Sequence, residues 1–480
     1  MEKRKMIKWL VIFLVTFLLS ACYKNGKAAI AFTHVSLIPM NTEEVIRDQT
    51  VLVYGSTIVG IGDFDEIRIP EDAEEINGNG AYLMPGLADM HMHTRADWED
   101  RDIWPVHPLY LYLANGVTTI RDFSPYGSPI DYALQWRKEI SDGERIGPTI
   151  YASGEMLYAS PMEEPVSTVD KNHKLGFDFL KVYSFLSNDD FHQAMKESER
   201  LGFYTAGHIP YAVGLDGVLA EGMDEIAHVE ELLFEFIEFE REIDLSPEEW
   251  MDYLAVLAKV QFDLDSSDNY SDFLENNAAY LQYIVSLLES RNIPVCTTMV
   301  LDDIIQLKIF QPEIFLARHE NQYFESGYIE IFQHGVEKHQ IQCEGVEVLC
   351  DYKYVIDRWI LQGLHSGDVL LLLGTDSGTG GMGIVPGYSI HDELRILVEN
   401  GFTPYEALKT ATVNPAIVVE RMVGDGNFGT IENGNRADLI LVAENPLTDI
   451  EILRTPLGVM TRGKWFSAEI LNQLIELPDF

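Results

Sequence analysis

The 480-residue sequence predicts an α/β fold, in which eight β/α units close into a barrel and both ends of the chain build a smaller β-rich domain. Eight short apolar segments in the middle of the chain alternate with helical stretches, which is typical of a parallel sheet. Both ends instead contain short β-type runs separated by Gly, Asn and Pro. A composition of 46% hydrophobic and 23% charged residues indicates a globular protein of two or three domains.

The N-terminus predicts the compartment. Four basic residues precede the apolar run Trp9–Leu19, which is shorter than the ~20 residues that span a bilayer. The run ends in Leu19-Ser-Ala-Cys22, which resembles a bacterial lipobox. We therefore expect a lipoprotein signal peptide over 1–21, a lipid on Cys22, a tether over 22–27 and a location on the extracytoplasmic side of the cell membrane. An ordinary signal peptide with an incidental cysteine is the alternative.

The predicted domains follow the element types along the chain. Residues 28–83 and 427–470 are predicted to form one composite β domain, and residues 84–426 the barrel. The predicted barrel strands are Leu83–Asp89, Val117–Asp122, Thr149–Ser153, Phe177–Tyr183, Tyr204–Gly207, Glu225–Ala227, Pro294–Met299 and Val369–Gly374.

Two connections late in the barrel are long, at roughly 65 and 70 residues, and must carry structure of their own. The apolar spacing predicts amphipathic helices over Pro247–Val260 and Asn276–Glu289. Between Glu230 and Asp252 there are ten acids and one base, which we interpret as a solvated helical face, with an acidic lid over the barrel mouth as the alternative. The net charge of −43 makes a nucleic-acid partner improbable, because phosphate binding needs clustered cations.

Five candidate metal ligands follow predicted strands. His91 and His93 end the first strand, and residues i and i+2 of an extended chain point the same way, so both imidazoles can reach one ion. His208, His228 and Asp376 end the fifth, sixth and eighth strands. Barrel enzymes place their sites at this end of the strands, so these side chains are expected to meet.

Lys181 is the sixth candidate. It lies among apolar residues at the end of the fourth strand, where burying an ammonium group is costly unless the charge is paired or removed. A carbamate formed with carbon dioxide would turn it into an anionic metal bridge. Pairing with Asp178 or another carboxylate is the alternative.

Three further residues are weaker candidates for substrate binding. Tyr183 and Tyr211 could hydrogen-bond an oxyanion or a substrate carboxylate, although packing at the rim is the simpler interpretation. Arg121 could bind a substrate carboxylate, although a structural ion pair with Asp122 is the default expectation.

The pattern resembles the amidohydrolase superfamily, in particular its imidazolonepropionase- and prolidase-like branch. The resemblance rests on five segments and covers nearly the whole chain after the signal peptide: Pro85-Gly-Leu-Ala-Asp-Met-His-Met-His, Gly116-Val-Thr-Thr-Ile-Arg-Asp, Phe179-Leu-Lys-Val-Tyr, Gly374-Thr-Asp-Ser-Gly and Gly429-Thr-Ile-Glu-Asn-Gly-Asn-Arg-Ala-Asp-Leu. It implies a distorted (β/α)8 TIM barrel with a small β-sandwich formed by both chain ends, and a site with one or two metal ions.

The resemblance also implies roles for the candidates. His91 and His93 would bind a buried metal ion and His208 and His228 an exposed one, with carboxylated Lys181 as the bridge. Asp376 would be both ligand and catalytic proton carrier. Imidazole and carboxylate ligands suit Zn²⁺, with manganese or iron as alternatives.

The leading functional hypothesis is a metal-dependent hydrolase that cleaves an amide in a small molecule or short peptide, with a prolidase-like dipeptidase as the most specific case. A lactonase or cyclic-amide hydrolase would use the same centre, and a lipoprotein that binds ligand without turnover is the alternative from another class. The sequence leaves open whether the chain forms a homo-oligomer and whether Cys343 and Cys350 pair.

Overall fold

The computed structural model describes residues 29–127, 129–162, 164–241, 243, 245–262, 270–344, 347–379 and 381–477. The signal peptide and Cys22 lie outside these residues, so lipid anchoring stays a prediction. Within the described part of the chain, none of the helices has both the length and the apolar character needed to cross a membrane.

The strands, in chain order, are β1 (Ala29–Leu37), β2 (Ile46–Tyr54), β3 (Thr57–Asp63), β4 (Glu74–Asn77), β5 (Tyr82–Pro85), β6 (Leu87–Met92), β7 (Val117–Asp122), β8 (Thr149–Ala152), β9 (Leu157–Ala159), β10 (Phe179–Phe185), β11 (Tyr204–Gly207), β12 (Glu225–Ile226), β13 (Val295–Cys296), β14 (Leu371–Leu372), β15 (Leu439–Val442), β16 (Gly458–Thr461) and β17 (Lys464–Ser467).

The α-helices, in chain order, are α1 (Pro108–Ala114), α2 (Tyr132–Asp142), α3 (Pro165–Leu175), α4 (Asn188–Leu201), α5 (Gly214–Ala220), α6 (Pro247–Gln261), α7 (Tyr270–Arg291), α8 (Val300–Phe310), α9 (Pro312–Leu316), α10 (Tyr328–Cys343), α11 (Glu347–Ser366), α12 (Ile390–Glu399), α13 (Pro404–Thr410), α14 (Val413–Val423) and α15 (Ala468–Leu474). Short 3₁₀ turns occupy Ala96–Glu99, Val229–Phe236, His319–Tyr323 and Ile450–Arg454.

Both chain ends contribute to one sheet, as the sequence predicts. Its strand order is β17-β16-β15-β5-β1-β2-β3, and β4 pairs with β1. The two ends meet where β5 pairs antiparallel with β15, with Leu83 opposite Leu441. Buried apolar residues from both ends, including Phe32 and Met460, form one cluster on this sheet. The β-rich part is therefore complete only when both ends of the chain are present.

The middle of the chain forms parallel sheets. One has the order β6-β7-β8 and the other β14-β13-β12-β11-β10-β9. Single parallel bridges between Ser153 and Phe179 and between Met92 and Ser377 connect the edges of the two sheets. Because all these strands run the same way, their carboxyl ends lie at one end of the structure.

The predicted strands are recovered with four differences. β9 was not predicted, and β10 begins and ends two residues later than the predicted Phe177–Tyr183. The first predicted strand, Leu83–Asp89, is divided at Gly86 between the mixed sheet and the parallel sheet. A Cβ on Gly86 would lie 2.2 Å from Thr118 Oγ1, so this crossing of the chain requires glycine. The last three strands pair over only two residues each, shorter than predicted.

The two long connections are helical. The predicted helix over Pro247–Val260 is confirmed as α6, and that over Asn276–Glu289 lies inside the longer α7. The second connection forms α8, α9, α10 and α11. A disulfide bond joins Cys343, at the end of α10, to Cys350 in α11.

Candidate active site

The four predicted histidine ligands lie together at the carboxyl ends of the parallel strands. The ring centroids of His91 and His228 are 4.3 Å apart, those of His208 and His228 are 4.7 Å apart, and those of His91 and His93 are 5.5 Å apart. All four side chains are buried. Strand ends that are distant in sequence therefore converge on one cluster.

Asp376 closes this cluster from the end of β14. Its Oδ1 lies 3.1 Å from His93 Nε2 and 3.5 Å from His91 Nε2. The backbone N–H of Asp376 donates to the carbonyl of His91 at 2.7 Å. Two residues on, a Cβ on Gly378 would lie 1.8 Å from the His93 carbonyl oxygen, so the loop after Asp376 requires glycine to pass this close.

Three residues at the cluster have left-handed backbone conformations that non-glycine residues seldom adopt. The φ angles are +68° at His228, +51° at Thr298 and +57° at Asp376. Each such residue costs free energy and is held only when the surrounding contacts enforce it. The fold thus holds the ends of three neighbouring strands, β12, β13 and β14, in conformations typical of functional sites.

Three of the histidines use Nδ1 in a hydrogen bond that points away from the cluster. The pairs are His93 with the Ser124 carbonyl at 2.9 Å, His208 with Glu231 at 2.6 Å and His228 with the Thr298 hydroxyl at 2.8 Å. A metal-binding imidazole is oriented in this way by a partner on its other nitrogen. The arrangement leaves Nε2 of each ring available to a ligand.

His91 lacks such a partner. Its ring stacks on Phe123, with centroids 3.8 Å apart and planes 9° apart. It is fully buried, and neither ring nitrogen has a hydrogen-bond partner among the described residues. One ligand atom from each of His91, His228 and Asp376 lies within 4.8 Å of the other two. These nitrogen and carboxylate donors fit a divalent metal ion, which would satisfy the orphaned His91 nitrogen.

Burial keeps these imidazoles uncharged. It lowers the pKa values of His91 and His208 well below the ordinary value, and it lowers the pKa of His228 to about 3. Neighbouring imidazoles and Lys181 act in the same direction. Neutral imidazole is the form that donates a lone pair to a metal ion.

Lys181 lies beside the histidines and is 1% exposed. Its Nζ is 4.7 Å from the centroid of the Phe123 ring, and the described residues place no carboxylate within 4.0 Å of it. The alternative, a pairing of Lys181 with Asp178, is wrong, because that carboxylate binds Arg137 at 2.5 Å. Burial lowers the pKa of Lys181 to about 8, although Asp376 and Glu231 act in the opposite direction. A fraction of the amine is therefore unprotonated near neutral pH.

The interpretation of 230–252 as a solvated face is wrong for Glu231, which is buried, whereas Glu230 is half-buried. Glu231 is 3% exposed and accepts hydrogen bonds from the His208 ring and from the Ile209 N–H, at 2.6 and 3.0 Å. Burial raises the pKa of Glu231 to about 8. Burial also opposes ionisation of Glu230, but the Lys353 ammonium outweighs it and lowers the pKa of Glu230 to about 2. The sequence signal for these contacts was the acidic pair Glu230-Glu231, which begins two residues after the candidate ligand His228.

The side chain of Lys353 links helix α11 to the candidate site. It extends from α11 and forms ion pairs with Glu230 at 2.8 Å, Asp302 at 2.6 Å and Asp357 at 2.6 Å. The oxygens of these three acids are close enough together to hold a cation, and the ammonium group fills that position. The cluster is thus a buried charge network that fixes α11 and α8 next to Glu231.

Of the two weaker tyrosine candidates, Tyr183 contacts the cluster. The Tyr183 ring lies 4.2 Å from the His208 ring. Tyr211 is 4% exposed and packs against Phe234 and Trp250, with ring centroids 5.0 and 5.5 Å away. This packing is the alternative that the sequence left open for Tyr211.

The substrate-binding prediction for Arg121 is wrong. Its side chain is fully buried, and the guanidinium group forms a two-point ion pair with Glu225 and donates to the Met90 carbonyl. The expected partner, Asp122, instead accepts hydrogen bonds from Thr94 and the Ser124 N–H. Arg121 therefore neutralises the charge of Glu225 among the parallel strands, and it is too deeply buried to bind a substrate.

Two further residues that sequence reasoning missed support the cluster. Thr298 accepts the hydrogen bond from His228, and Asp89 accepts hydrogen bonds from the side chain and N–H of Thr375, at 2.6 and 3.1 Å. Asp89 thereby links β6 to the residue before Asp376. Its position two residues before His91 on an alternating strand was a signal of an inward side chain.

Comparison with known proteins agrees with this geometry. Residues 358–466 match the model of the amidohydrolase family. This match covers less than a quarter of the chain, and with the similarities below it supports a hydrolase that acts on carbon–nitrogen bonds. It is 23% identical to ochratoxinase from Aspergillus niger over 468 residues, which is 91% of this chain and 85% of that protein.

Solved structures show the same overall fold. A Xaa-Pro dipeptidase with methionine bound in its active site has a TM-score of 0.62 and 18% identity over 92% of this chain and all of that chain. The structure of A. niger ochratoxinase has a TM-score of 0.61 and 19% identity over 92% of this chain and 96% of that chain.

Proposed function

We propose that this protein hydrolyses an amide bond in a small molecule or short peptide at a divalent metal centre, with prolidase-like cleavage of a dipeptide as the specific case. The observation that carries the proposal is the set of four buried imidazoles at Asp376, three of them oriented by outward hydrogen bonds and the fourth, His91, without a hydrogen-bond partner among the described residues. The dipeptidase and ochratoxinase similarities support the same bond type.

A closed eight-stranded barrel is part of this proposal. The bridges at Ser153 and Met92 support closure, because they join β8 to β10 and β14 to β6. Closure would hold all six candidate ligands on one rim, as barrel enzymes do.

His91, His93, His208, His228 and Asp376 would hold the metal, for which zinc is the expected ion. A divalent ion at this position would lower the pKa of a bound water and polarise the substrate carbonyl. Asp376 would take a proton on Oδ1 and return it to the leaving nitrogen, because this oxygen faces the Nε2 atoms of His91 and His93. Glu231 and Thr298 would keep His208 and His228 in the required orientation.

We further propose that Lys181 carries a carbamate that bridges two ions. Its burial, its missing carboxylate partner and its lowered pKa support this, since an unprotonated amine is the form that reacts with carbon dioxide. Lys181→Ala should lower the metal content from about two ions per chain and abolish most turnover, with partial rescue by short carboxylates. An intact-mass measurement of unmodified Lys181 in active two-metal enzyme would contradict the carbamate.

The proposal also includes lipid anchoring at Cys22 on the extracytoplasmic side of the membrane. Cys22→Ala should release the protein from the membrane fraction and leave turnover unchanged. A variant that stays with the membrane would refute the lipobox.

Metal analysis combined with a substrate screen tests the main proposal. The screen would include dipeptides with and without C-terminal proline, N-acyl amino acids and lactones. We expect release of a free amino group from at least one amide. Metal-loaded protein that hydrolyses none of these amides would refute the proposal, and turnover confined to lactones would assign the centre to ester chemistry.

A further inference from the structure

Three aromatic side chains form a wall next to the histidine cluster. We call Tyr158, Tyr183 and Phe185 the aromatic triad. The centroids of Tyr158 and Tyr183 are 5.0 Å apart, and Phe185 is 5.6 Å from each of them. The triad begins at the candidate ligands, because Tyr183 lies 4.2 Å from His208.

The triad forms at the carboxyl ends of the parallel strands, where successive side chains alternate between the two faces of each strand. Lys181, Tyr183 and Phe185 occupy alternate positions of β10, so they share one face of the strand. Tyr158 comes from β9, which pairs with β10. The face that carries Lys181 into the site therefore continues outwards as aromatic surface.

The triad is open to solvent where a ligand would approach. Tyr158 is 47% exposed, and Tyr183 and Phe185 are partly exposed. A single exposed tyrosine is ordinary, but three rings in mutual contact that adjoin a catalytic cluster form a surface to which another aromatic ring can add.

A third tyrosine, Tyr126, lies next to another candidate ligand, His93. Tyr126 is 41% exposed, and its ring is 5.1 Å from that of His93. Burial, followed by the charge of Asp376, raises the pKa values of both Tyr126 and Tyr183, so each presents a neutral ring and hydroxyl group. Aromatic rings thus lie next to the cluster at His93 and at His208.

We propose that the aromatic triad binds a planar aromatic group of the substrate, attached close to the scissile amide. The inference rests on the proposed function and specifies its substrate class. Tyr183 contacts His208 on one side and Tyr158 on the other, so the triad is within reach of a substituent on a carbonyl that is held at the histidines. Stacking between aromatic rings adds about three- to tenfold in affinity beyond the burial of apolar area.

Equilibrium binding of two matched ketones to the metal-loaded protein tests this directly. Acetophenone and cyclohexyl methyl ketone share a carbon skeleton and a carbonyl group, lack a scissile amide, and differ in the aromaticity of the ring. We expect acetophenone to bind about three- to tenfold more tightly. Tyr158→Leu should bring the ratio close to one, whereas Tyr158→Phe should preserve it.

The matched control is Tyr54→Leu, which alters a tyrosine of similar exposure, 50%, on the mixed sheet. This variant should keep the wild-type ratio. A wild-type ratio near one, or a ratio that survives Tyr158→Leu, would overturn the inference. Because ketone binding needs no turnover, the two proposals can fail separately. Protein that hydrolyses no amide but prefers acetophenone would refute only the proposed amide hydrolysis. Active enzyme that does not prefer acetophenone would refute only the aromatic site.

Discussion

Replacing Glu231 by glutamine tests whether this buried carboxylate orients His208 for metal binding. One oxygen of Glu231 accepts from His208 Nδ1 at 2.6 Å and the other from the Ile209 N–H at 3.0 Å. Glutamine keeps the size and one carbonyl oxygen, but it places an NH₂ group where the second acceptor was. The substitution therefore removes one acceptor while it preserves packing.

The expected loss follows from these contacts. Removing the outer partner of a metal-binding histidine costs about 10- to 100-fold in metal affinity, which is about 1.4 to 2.7 kcal/mol. The Ile209 N–H can only donate, so the one amide oxygen stays with it and the NH₂ group faces His208 Nδ1, which can accept this hydrogen bond only in the tautomer that carries its proton on Nε2. The free energy of unfolding should therefore fall by only about 1 kcal/mol. Thr298→Val removes only a neutral hydroxyl from His228, so its loss of metal affinity should be at the lower end of the same range.

Competition with a chelator measures the metal affinity, and urea unfolding measures the stability. Glu235→Gln is the matched control, because Glu235 lies on the same 3₁₀ segment and binds the Leu215 N–H and Arg241 without contacting a histidine. The control should lose stability and keep its metal affinity. If Glu231→Gln retains metal within twofold of the wild type, the orienting role is refuted.

Three further changes have defined outcomes. Asp376→Asn should keep the metal and lower turnover by about 10²- to 10⁴-fold, and near-normal turnover in metal-loaded variant would refute its role in proton transfer. Lys353→Met leaves the buried Asp302 and Asp357 and the half-buried Glu230 without their cation, so urea unfolding should show a loss of about 3 to 5 kcal/mol, and a loss below 1 kcal/mol would contradict the network. His107 caps α1 through Nδ1, and burial lowers its pKa to about 4. Since this pKa is lower in the folded protein than in the unfolded chain, the stabilisation is present above pH 6.5 and is lost as the pH falls towards 4. Between pH 7.5 and 5 the wild type should therefore lose about 2 kcal/mol more than His107→Asn, which keeps the cap and does not titrate; equal losses would exclude the effect.

The candidate ligands could be predicted from the sequence because each follows a short apolar strand. Parallel strands bring their carboxyl ends together, so the positions of His208, His228 and Asp376 along the chain were enough to predict that they meet. The amphipathic spacing of α6 and α7 was equally informative. In these cases a local pattern determines the position.

The contacts that orient the ligands are not encoded locally. Arg121 is adjacent to Asp122 in sequence but pairs with Glu225, because side chains that alternate along β7 point in opposite directions, and an inward cation finds its partner across the strands. Glu231 belongs to an acidic run whose composition is that of a surface, and only the packing of α8 and α11 shows that it is buried. Such partners depend on which elements pack together, which short-range patterns do not specify.

The sheet shared by both chain ends has a consequence for synthesis. β5 ends at residue 85, yet the strand that covers its edge, β15, spans Leu439–Val442. Until the ribosome has made those last strands, the edge of β5 has unsatisfied backbone groups and apolar side chains, which is a template for pairing with another nascent chain. Pairing over more than 350 residues also slows folding, because loop closure must precede the contact. This hydrolase therefore cannot complete its β-rich part during translation, and a chain truncated before residue 439 would aggregate through that open edge.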